Sequence, residues 1–297
     1  MQMVPKLVLK IIKSTVMKDV KRRRKLYPPH GLYNEKLHIP YIDDGSIYHQ
    51  YAVYLAKNRQ HKACVIDIHG GAYMFCDHMD NYYIATKMLE KGFDFFTPDY
   101  EPNNGKRDTF DLVKDTIKCL NHFFEHLTDY DLQDDSFFLM GDSAGGHFAL
   151  LIAELFNDKN LQEQLGFHLP DIEIKGVLVN SPVYDFAKIE DSLSKGAMKM
   201  MFGEGYTIEK MKMLSPRKHL SSLKMPVFVS TCKNDFLRKE ALTLYDDLIK
   251  RDTPPTFIDI YSNKPNISHV HNVIYPELHE SKYVNKAMAD FMVSLLK

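Results

Sequence analysis

The stretch FFLMGDSAGGHFAL, residues 137–150, decides the fold of this chain. It holds Ser143 at the centre of a G-x-S-x-G pattern. A serine between glycines occurs in loops of proteins built from two β-barrels, and in sharp turns that join a strand to a helix. Here a strand-like apolar run precedes the motif, and the helix-like run HFALLIAELF follows it at once. Because Gly141, Gly145 and Gly146 permit close backbone approach and unusual dihedral angles, the pattern predicts a strand–turn–helix elbow.

Strand-like and helix-like segments alternate along the rest of the chain. ACVIDIHG, residues 63–70, is a nearly continuous apolar run, as expected of a strand buried on both faces. Further strand-like segments lie at 93–100, 174–183, 225–235 and 256–262, and helix-like segments at 82–91, 108–127, 239–251 and 280–297. This alternation predicts an α/β fold with a doubly wound, mostly parallel sheet of about eight strands. Two earlier stretches, EKLHIPYI and SIYHQYAVYLA, flank the turn DDGS and predict a hairpin that adds an antiparallel edge.

Composition and length fit one large α/β domain, predicted to span residues 1–297. Of the 297 residues, 44% are apolar and 26% are charged, which is typical of a soluble globular protein with a substantial core. With a formal net charge of -1 the protein has no strong overall electrostatic field that would attract nucleic acid, so nucleic acid is not an expected partner. The four cysteines form no C-x-x-C motif, so no metal or redox site is predicted. Isolated cysteines in apolar runs are typical of a reducing compartment and predict a cytoplasmic location.

The first residues carry a basic amphipathic pattern. Lysines interrupt its apolar stretch and the basic cluster follows it, which makes a poor signal peptide. No run approaches 18 apolar residues, so neither a membrane span nor stable membrane association is expected, and interfacial binding is the alternative. The pattern predicts a helix docked on the core, with residues 21–25 as its solvated end. Its apolar positions are Val4, Leu7, Val8, Ile11, Ile12 and Val16.

A serine nucleophile needs a base within hydrogen-bond reach and an acid that orients the base. In a strand–elbow–helix fold these follow the serine in the order acid, then histidine, each just after a strand. Asp235 ends the strand-like stretch PVFVSTCKND and is the predicted acid. His269 and His271 both lie in the loop after the last strand, and residues at i and i+2 of an extended segment point to opposite sides. Spacing therefore predicts that one of these two histidines reaches Ser143, without choosing between them.

The strand-like stretch IDIHGGAYMF ends in a run of small residues that suits an oxyanion hole. Backbone N–H groups of Gly70, Gly71 and Ala72 are the candidate donors, and the N–H of Ala144 completes the set. An alanine N–H can donate as well as that of a glycine. His69 precedes the serine, which breaks the expected order of the triad, so it is predicted to hold this loop in place.

Two motifs identify a family resemblance. HGGAY, residues 69–73, and GDSAGG, residues 141–146, resemble the marks of the hormone-sensitive-lipase-like esterases of the α/β-hydrolase superfamily. The resemblance spans about residue 35 to the end and implies a serine carboxylesterase that needs no cofactor. It also implies a small helical cap, which here falls at about residues 1–34 and 186–222. The family's histidine precedes a small residue and an aromatic one, and SHVHNVIYP fits that pattern with His269 as the base.

The predicted function is therefore hydrolysis of short- to medium-chain carboxylic esters, with a small-molecule ester as the partner and a homodimer as a possible assembly. An amidase or peptidase on the same scaffold is one alternative, although such enzymes usually carry an added anchoring domain. A non-catalytic ligand-binding protein of this fold is a more distant alternative, because no member of the triad is missing. The methionine-rich segment of the cap suits an adaptable acyl pocket, or packs the cap onto the core. These methionines are Met198, Met200, Met201, Met211 and Met213.

Overall fold

The computed structural model describes residues 3–26, 31, 33–103, 105–186, 199 and 201–296. One sheet organises the fold, with the strand order β1-β2-β4-β3-β5-β6-β7-β8. From β4 to β8 every neighbouring pair is parallel, and β1 and β2 form the antiparallel hairpin at one edge. The predicted eight-stranded, mostly parallel sheet and its antiparallel edge are confirmed. The strands are β1 Asn34–Pro40, β2 Gln50–Leu55, β3 Ala63–Ile68, β4 Asp94–Pro98, β5 Ser136–Asp142, β6 Ile174–Asn180, β7 Val227–Cys232 and β8 Thr256–Ile260.

Helices cover both faces of the sheet, because the central strands are apolar on both sides. In β5, Phe137 and Leu139 pack into the cluster on one face, and Phe138 and Met140 pack into the cluster on the other. The first face is covered by α3, α4 and α8, and the second by α2 and α10. The α-helices in the described part of the chain are α1 Met3–Leu26, α2 Tyr82–Leu89, α3 Thr109–Glu125, α4 Ala144–Asn157, α5 Lys159–Leu165, α6 Ile208–Met213, α7 Pro216–His219, α8 Arg238–Leu248, α9 His271–Ile274 and α10 His279–Ser294.

The amino-terminal helix is present as predicted, but its basic end is not simply solvated. Arg23 is 8% exposed, and its guanidinium donates to the backbone oxygen of Asp80. Arg24 pairs with Asp80 at 2.8 Å, and Arg22 donates to the backbone oxygen of Ile274. The prediction of a solvated end was wrong here, because the helix reaches the carboxyl edge of the sheet. There, carboxylates and backbone oxygens accept hydrogen bonds from its arginines. The side chains of Val4, Leu7, Val8, Ile11 and Ile12 lie outside the described residues.

Only part of the predicted cap at 186–222 can be compared with the structure. Residues 187–198 and 200, which include Met198 and Met200, lie outside the described residues. In the described remainder, α6 and α7 pack onto the core, and Phe202, Met211 and Leu214 are fully or almost fully buried there. Among the described residues, no helix combines the length and the apolar character needed to cross a bilayer.

Candidate active site

Ser143 stands in a strained elbow between β5 and α4. Its backbone has φ 54° and ψ -117°, a conformation that non-glycine residues rarely adopt and that functional sites retain. The N–H of Ser143 donates to the oxygen of Asn180 at 2.9 Å, which fastens the elbow to the end of β6. A Cβ at Gly145 would lie 1.9 Å from the backbone oxygen of Ile68, so only glycine fits where α4 crosses β3. The sequence-predicted elbow is therefore built as its glycines indicated.

His269 joins Ser143 to Asp235 through two hydrogen bonds. Its Nε2 lies 3.0 Å from Ser143 Oγ, and its Nδ1 lies 2.8 Å from Asp235 Oδ1. His271 turns the other way, with Nδ1 2.9 Å from Ser281 Oγ inside the core. The two histidines thus have different partners, and His269 is the one beside the serine. The segment is not extended as expected, because Val270 has φ 48° and His271 begins α9. The structure brings together the three residues of the predicted triad.

Asp235 is 6% exposed and remains easily ionised. Its Oδ2 accepts a hydrogen bond from Thr231 Oγ1 at 3.0 Å, and its Oδ1 accepts one from the N–H of Leu237 at 2.9 Å. Burial opposes ionisation, but the hydrogen bonds from His269, Ser181 and Leu237 outweigh it and lower the pKa of Asp235. The carboxylate is therefore charged at neutral pH and suited to holding the Nδ1–H tautomer of His269.

The loop after β3 presents backbone N–H groups in an unusual conformation. Gly71, Ala72 and Tyr73 all have positive φ, at 116°, 54° and 64°. The N–H of Gly70 donates to Asp142 Oδ1 at 3.2 Å and is therefore occupied. In the described part of the chain, the N–H groups of Gly71 and Ala72 have no hydrogen-bond acceptor. Of the predicted loop donors, these two remain available to a ligand.

The N–H of Ala144 is also available at the elbow. Ala144 is the first residue of α4, and the first N–H groups of a helix have no acceptor within the helix. The Ser143 side chain makes no capping bond to this helix. A partial positive charge also gathers at a helix amino terminus, which favours a negative charge placed there. The elbow and the loop after β3 thus both offer donors suited to an oxyanion.

His69 holds the loop after β3 in place, as predicted. Its Nδ1 donates to the oxygen of Gly70 at 2.8 Å, its Nε2 lies 3.2 Å from Asp99 Oδ1, and its ring stacks on Tyr100. Burial alone would lower the pKa of His69, but the bond to Asp99 dominates and raises the pKa to about 9. The raised pKa favours the protonated form of His69, which is fully buried and bonded at both ring nitrogens, so it is not a free base.

His147 links the loop after β3 to the segment that follows α6. Its Nδ1 accepts from Tyr73 Oη at 3.0 Å, and its Nε2 donates to the oxygen of Leu214, after α6, at 2.7 Å. Burial lowers the pKa of His147 to about 4, so the ring is neutral and can accept from one side while donating on the other. Met211 packs into the core cluster beside this contact, which favours the packing role for that methionine.

Asn81 and Asn180 hold the site together and were not singled out in the sequence. Asn81 Nδ2 donates to Asp67 at 2.8 Å and to Asp142 at 2.9 Å, and Asp142 in turn contacts the loop after β3. Asn180 Oδ1 accepts from Asn272 at 3.1 Å, which ties β6 to the loop of His269. Only their positions in the sequence could have pointed to these residues. Asn81 directly precedes α2, and Asn180 ends a buried strand. Their partners are distant in sequence, so pattern alone did not identify them.

Comparison with known proteins gives the same architecture. The BD-FAE family model matches residues 52–241, more than half of the chain. Esterase LipQ of Mycobacterium tuberculosis is 25% identical over 238 residues, which cover 77% of this chain and 54% of that protein. The chain thus spans about half the length of this curated relative.

Solved structures match over nearly the whole chain. Esterase B from Lactobacillus rhamnosis, inhibited by a tributyrin phosphonate, superposes with a TM-score of 0.82 at 21% identity, covering 98% of this chain and 96% of that one. A hyperthermophilic esterase from the archaeon Pyrobaculum calidifontis superposes with a TM-score of 0.66 at 17% identity, covering 99% and 95%. At these identities the likeness establishes the fold, which is that of the α/β-hydrolases.

Proposed function

The chain belongs to the BD-FAE family, and from this premise we propose that it is a serine carboxylesterase acting on short- to medium-chain esters. The observation that carries the proposal is the continuous hydrogen-bonded path from Ser143 through His269 to Asp235. Ser143 is the nucleophile, His269 the general base and acid, and Asp235 the residue that orients the imidazole. The esterase names of the relatives support the same reaction class.

In the first half of the reaction, Ser143 Oγ attacks the ester carbonyl while its proton moves to His269 Nε2. The positive charge on the imidazolium is stabilised by the Asp235 carboxylate, whose lowered pKa keeps it ionised. The carbonyl oxygen becomes negative and accepts hydrogen bonds from the N–H groups of Gly71, Ala72 and Ala144. Collapse of the tetrahedral intermediate breaks the bond to the alcohol, which takes the proton from Nε2, and leaves an acyl-enzyme.

In the second half, water replaces the alcohol. His269 Nε2 removes a proton from water as its oxygen attacks the acyl carbonyl, and the same backbone donors hold the second oxyanion. Collapse returns the proton to Ser143 Oγ and releases the carboxylic acid. No redox step occurs, and every proton travels between Ser143, His269, water and the alcohol.

The proposed context of this reaction follows the same residues. The partner is a small-molecule ester, and residues 1–34 with 186–222 are the proposed cap over the site. A reducing, cytoplasmic location is proposed because Cys64, Cys76, Cys119 and Cys232 are all free thiols.

The test is hydrolysis of p-nitrophenyl esters from acetyl to decanoyl by wild type, Ser143→Ala, His269→Ala and His271→Ala. Loss of a triad member is expected to lower kcat by about 10⁴-fold or more, while His271→Ala is expected to keep substantial turnover if it folds. A fluorophosphonate probe is expected to label wild type but not Ser143→Ala. Absence of both turnover and labelling in folded wild type would overturn the proposal and favour a ligand-binding protein.

The choice between esterase and amidase is tested with an ester and an amide of the same acyl group. An esterase is expected to prefer the ester strongly at equal acyl length, and the length profile then measures the acyl pocket. Comparable turnover of the amide would move the assignment to the amidase class while leaving the triad intact.

A further inference from the structure

Phe236 is an exposed aromatic side chain beside the proposed base. The residue is 76% exposed, and its ring centre lies 4.2 Å from that of His269, with the two planes inclined by 41°. Single apolar side chains are common on protein surfaces, so exposure alone does not indicate a functional role. The contact with His269 is what distinguishes Phe236 from exposed residues such as Ile249, at the far end of α8.

The turn that holds Asp235 also fixes the position of Phe236. Leu237 N–H donates to Asp235 Oδ1 at 2.9 Å, and Arg238 N–H donates to the Asp235 backbone oxygen at 3.1 Å. In this tight turn Asp235 is buried and Phe236 points outward. The aromatic ring is therefore held beside His269 by the same hydrogen bonds that place the proposed acid of the triad.

The contact places the ring on the alcohol side of the proposed reaction. His269 Nε2, 3.0 Å from Ser143 Oγ, is the atom that protonates the leaving alcohol. Because all atoms of an imidazole lie close to its centre, the phenyl ring that touches His269 is also near Nε2. In the proposed reaction the acyl carbonyl, by contrast, lies at the elbow and the backbone donors. A group attached to the ester oxygen thus meets Phe236 as it leaves.

We propose that Phe236 is a substrate-contact residue that binds a ring-bearing alcohol, and this rests on the proposed esterase function. The exposed face of the phenyl ring suits a second flat or apolar ring, either an aryl group or the apolar face of a pyranose. A ring one carbon removed from the ester oxygen can stack there while that oxygen remains at Nε2. Phe236 thus selects the alcohol half of the ester and leaves the acyl half to other residues.

The experiment keeps the acyl group constant and changes the alcohol. Ethyl acetate, benzyl acetate and 6-O-acetylglucose are compared for wild type, Phe236→Ala, Phe236→Tyr and the surface control Ile249→Ala. Phe236→Ala is expected to lower kcat/KM about 10-fold for at least one ring-bearing ester, mainly through KM, and to change ethyl acetate less than about two-fold. Phe236→Tyr is expected to restore the preference, and the ester that responds identifies the ring as aryl or pyranose.

Two results would overturn the inference alone. If wild type hydrolyses all three esters and Phe236→Ala keeps the same ratios, the ring has no part in selecting the alcohol. If Phe236→Ala slows all three esters equally and shifts the pH profile of kcat, the ring only supports His269. Failure of folded wild type to hydrolyse any of these esters or the p-nitrophenyl esters, together with no fluorophosphonate labelling, would overturn the esterase proposal itself, and the inference with it.

Discussion

The carboxylate of Asp142 accepts a hydrogen bond from the N–H of Gly70, with 3.2 Å between the two atoms. Asp142 directly precedes Ser143, so this bond ties the elbow of Ser143 to the loop after β3. The bond also removes Gly70 from the set of free donors and leaves Gly71 and Ala72 to face a ligand. Residues of the two family motifs, far apart in sequence, are thus joined by one carboxylate.

Asp142 is expected to position the oxyanion donors. Asp142→Ala should lower kcat for p-nitrophenyl acetate by about 10-fold, because the buried Gly70 N–H loses its acceptor and the loop can shift. Asp142→Asn keeps an oxygen that can accept from Gly70 and should retain more activity. Fluorophosphonate labelling and thermal unfolding of both variants separate a misplaced loop from a misfolded protein. Equal activity of Asp142→Ala and wild type would show that other contacts hold the loop.

Arg23 is expected to act on the same loop from the amino-terminal helix. Its buried guanidinium donates to the backbone of Asp80, and the next residue, Asn81, donates to Asp142. Arg23→Ala should destabilise the fold by about 2 kcal/mol, because a buried carbonyl loses a charged donor, and should lower esterase kcat as well. Lys21→Ala, on the exposed face of the same helix, is the control and should change neither quantity. Urea unfolding and ester turnover on the two variants make the comparison.

Gly145 is expected to tolerate no side chain. A Cβ there would meet the backbone oxygen of Ile68 at 1.9 Å, and neither α4 nor β3 can move without disturbing the elbow. Gly145→Ala should therefore cost at least about 3 kcal/mol or prevent soluble expression. At Gly205 a Cβ would lie 4.0 Å from its nearest neighbour, so Gly205→Ala should fold normally and serves as the matched control. A well-folded, fully active Gly145→Ala protein would contradict the packing described for the elbow.

His271 is expected to make the protein less stable in acid. Burial lowers the pKa of His271 to about 4, whereas an unfolded histidine titrates near 6.5. Between these values the unfolded state binds the extra proton, so this contribution to stability is complete above about pH 6.5 and is lost as the pH falls towards 4. The full effect is on the order of 3 kcal/mol. His147, whose pKa is also lowered to about 4, adds to the same trend.

Urea unfolding measured from pH 4.5 to 7.5 tests this expectation. His271→Gln should reduce the slope of the free energy of unfolding against pH. The reduction should correspond to at most one proton taken up on unfolding. His279→Gln, at an exposed position at the start of α10, should leave the slope unchanged. An identical slope in wild type and His271→Gln would mean that the pKa of His271 does not differ between the native and unfolded states.

The fold could be predicted from local patterns, because strands and helices are fixed largely by residues near in sequence. The apolar run before Ser143 and the helical run after it identified the elbow, and the alternation of segments predicted the parallel sheet. Asp235 could be proposed from its place directly after a strand, since the carboxyl ends of parallel strands meet at one edge. His269 and His271 satisfied the same rule equally well, and a resemblance was needed to prefer one.

Tertiary structure decided which polar groups meet. The loop after β8 turns His269 towards Ser143 and His271 towards Ser281, and no local pattern fixes such a rotation. The occupied N–H of Gly70 and the path from Arg23 to Asp142 depend likewise on partners from separate segments. The sequence by itself thus determined the elements and the edge at which the site forms. Which donors are free there was decided only by folding, because a hydrogen bond depends on distances and angles that the whole fold sets.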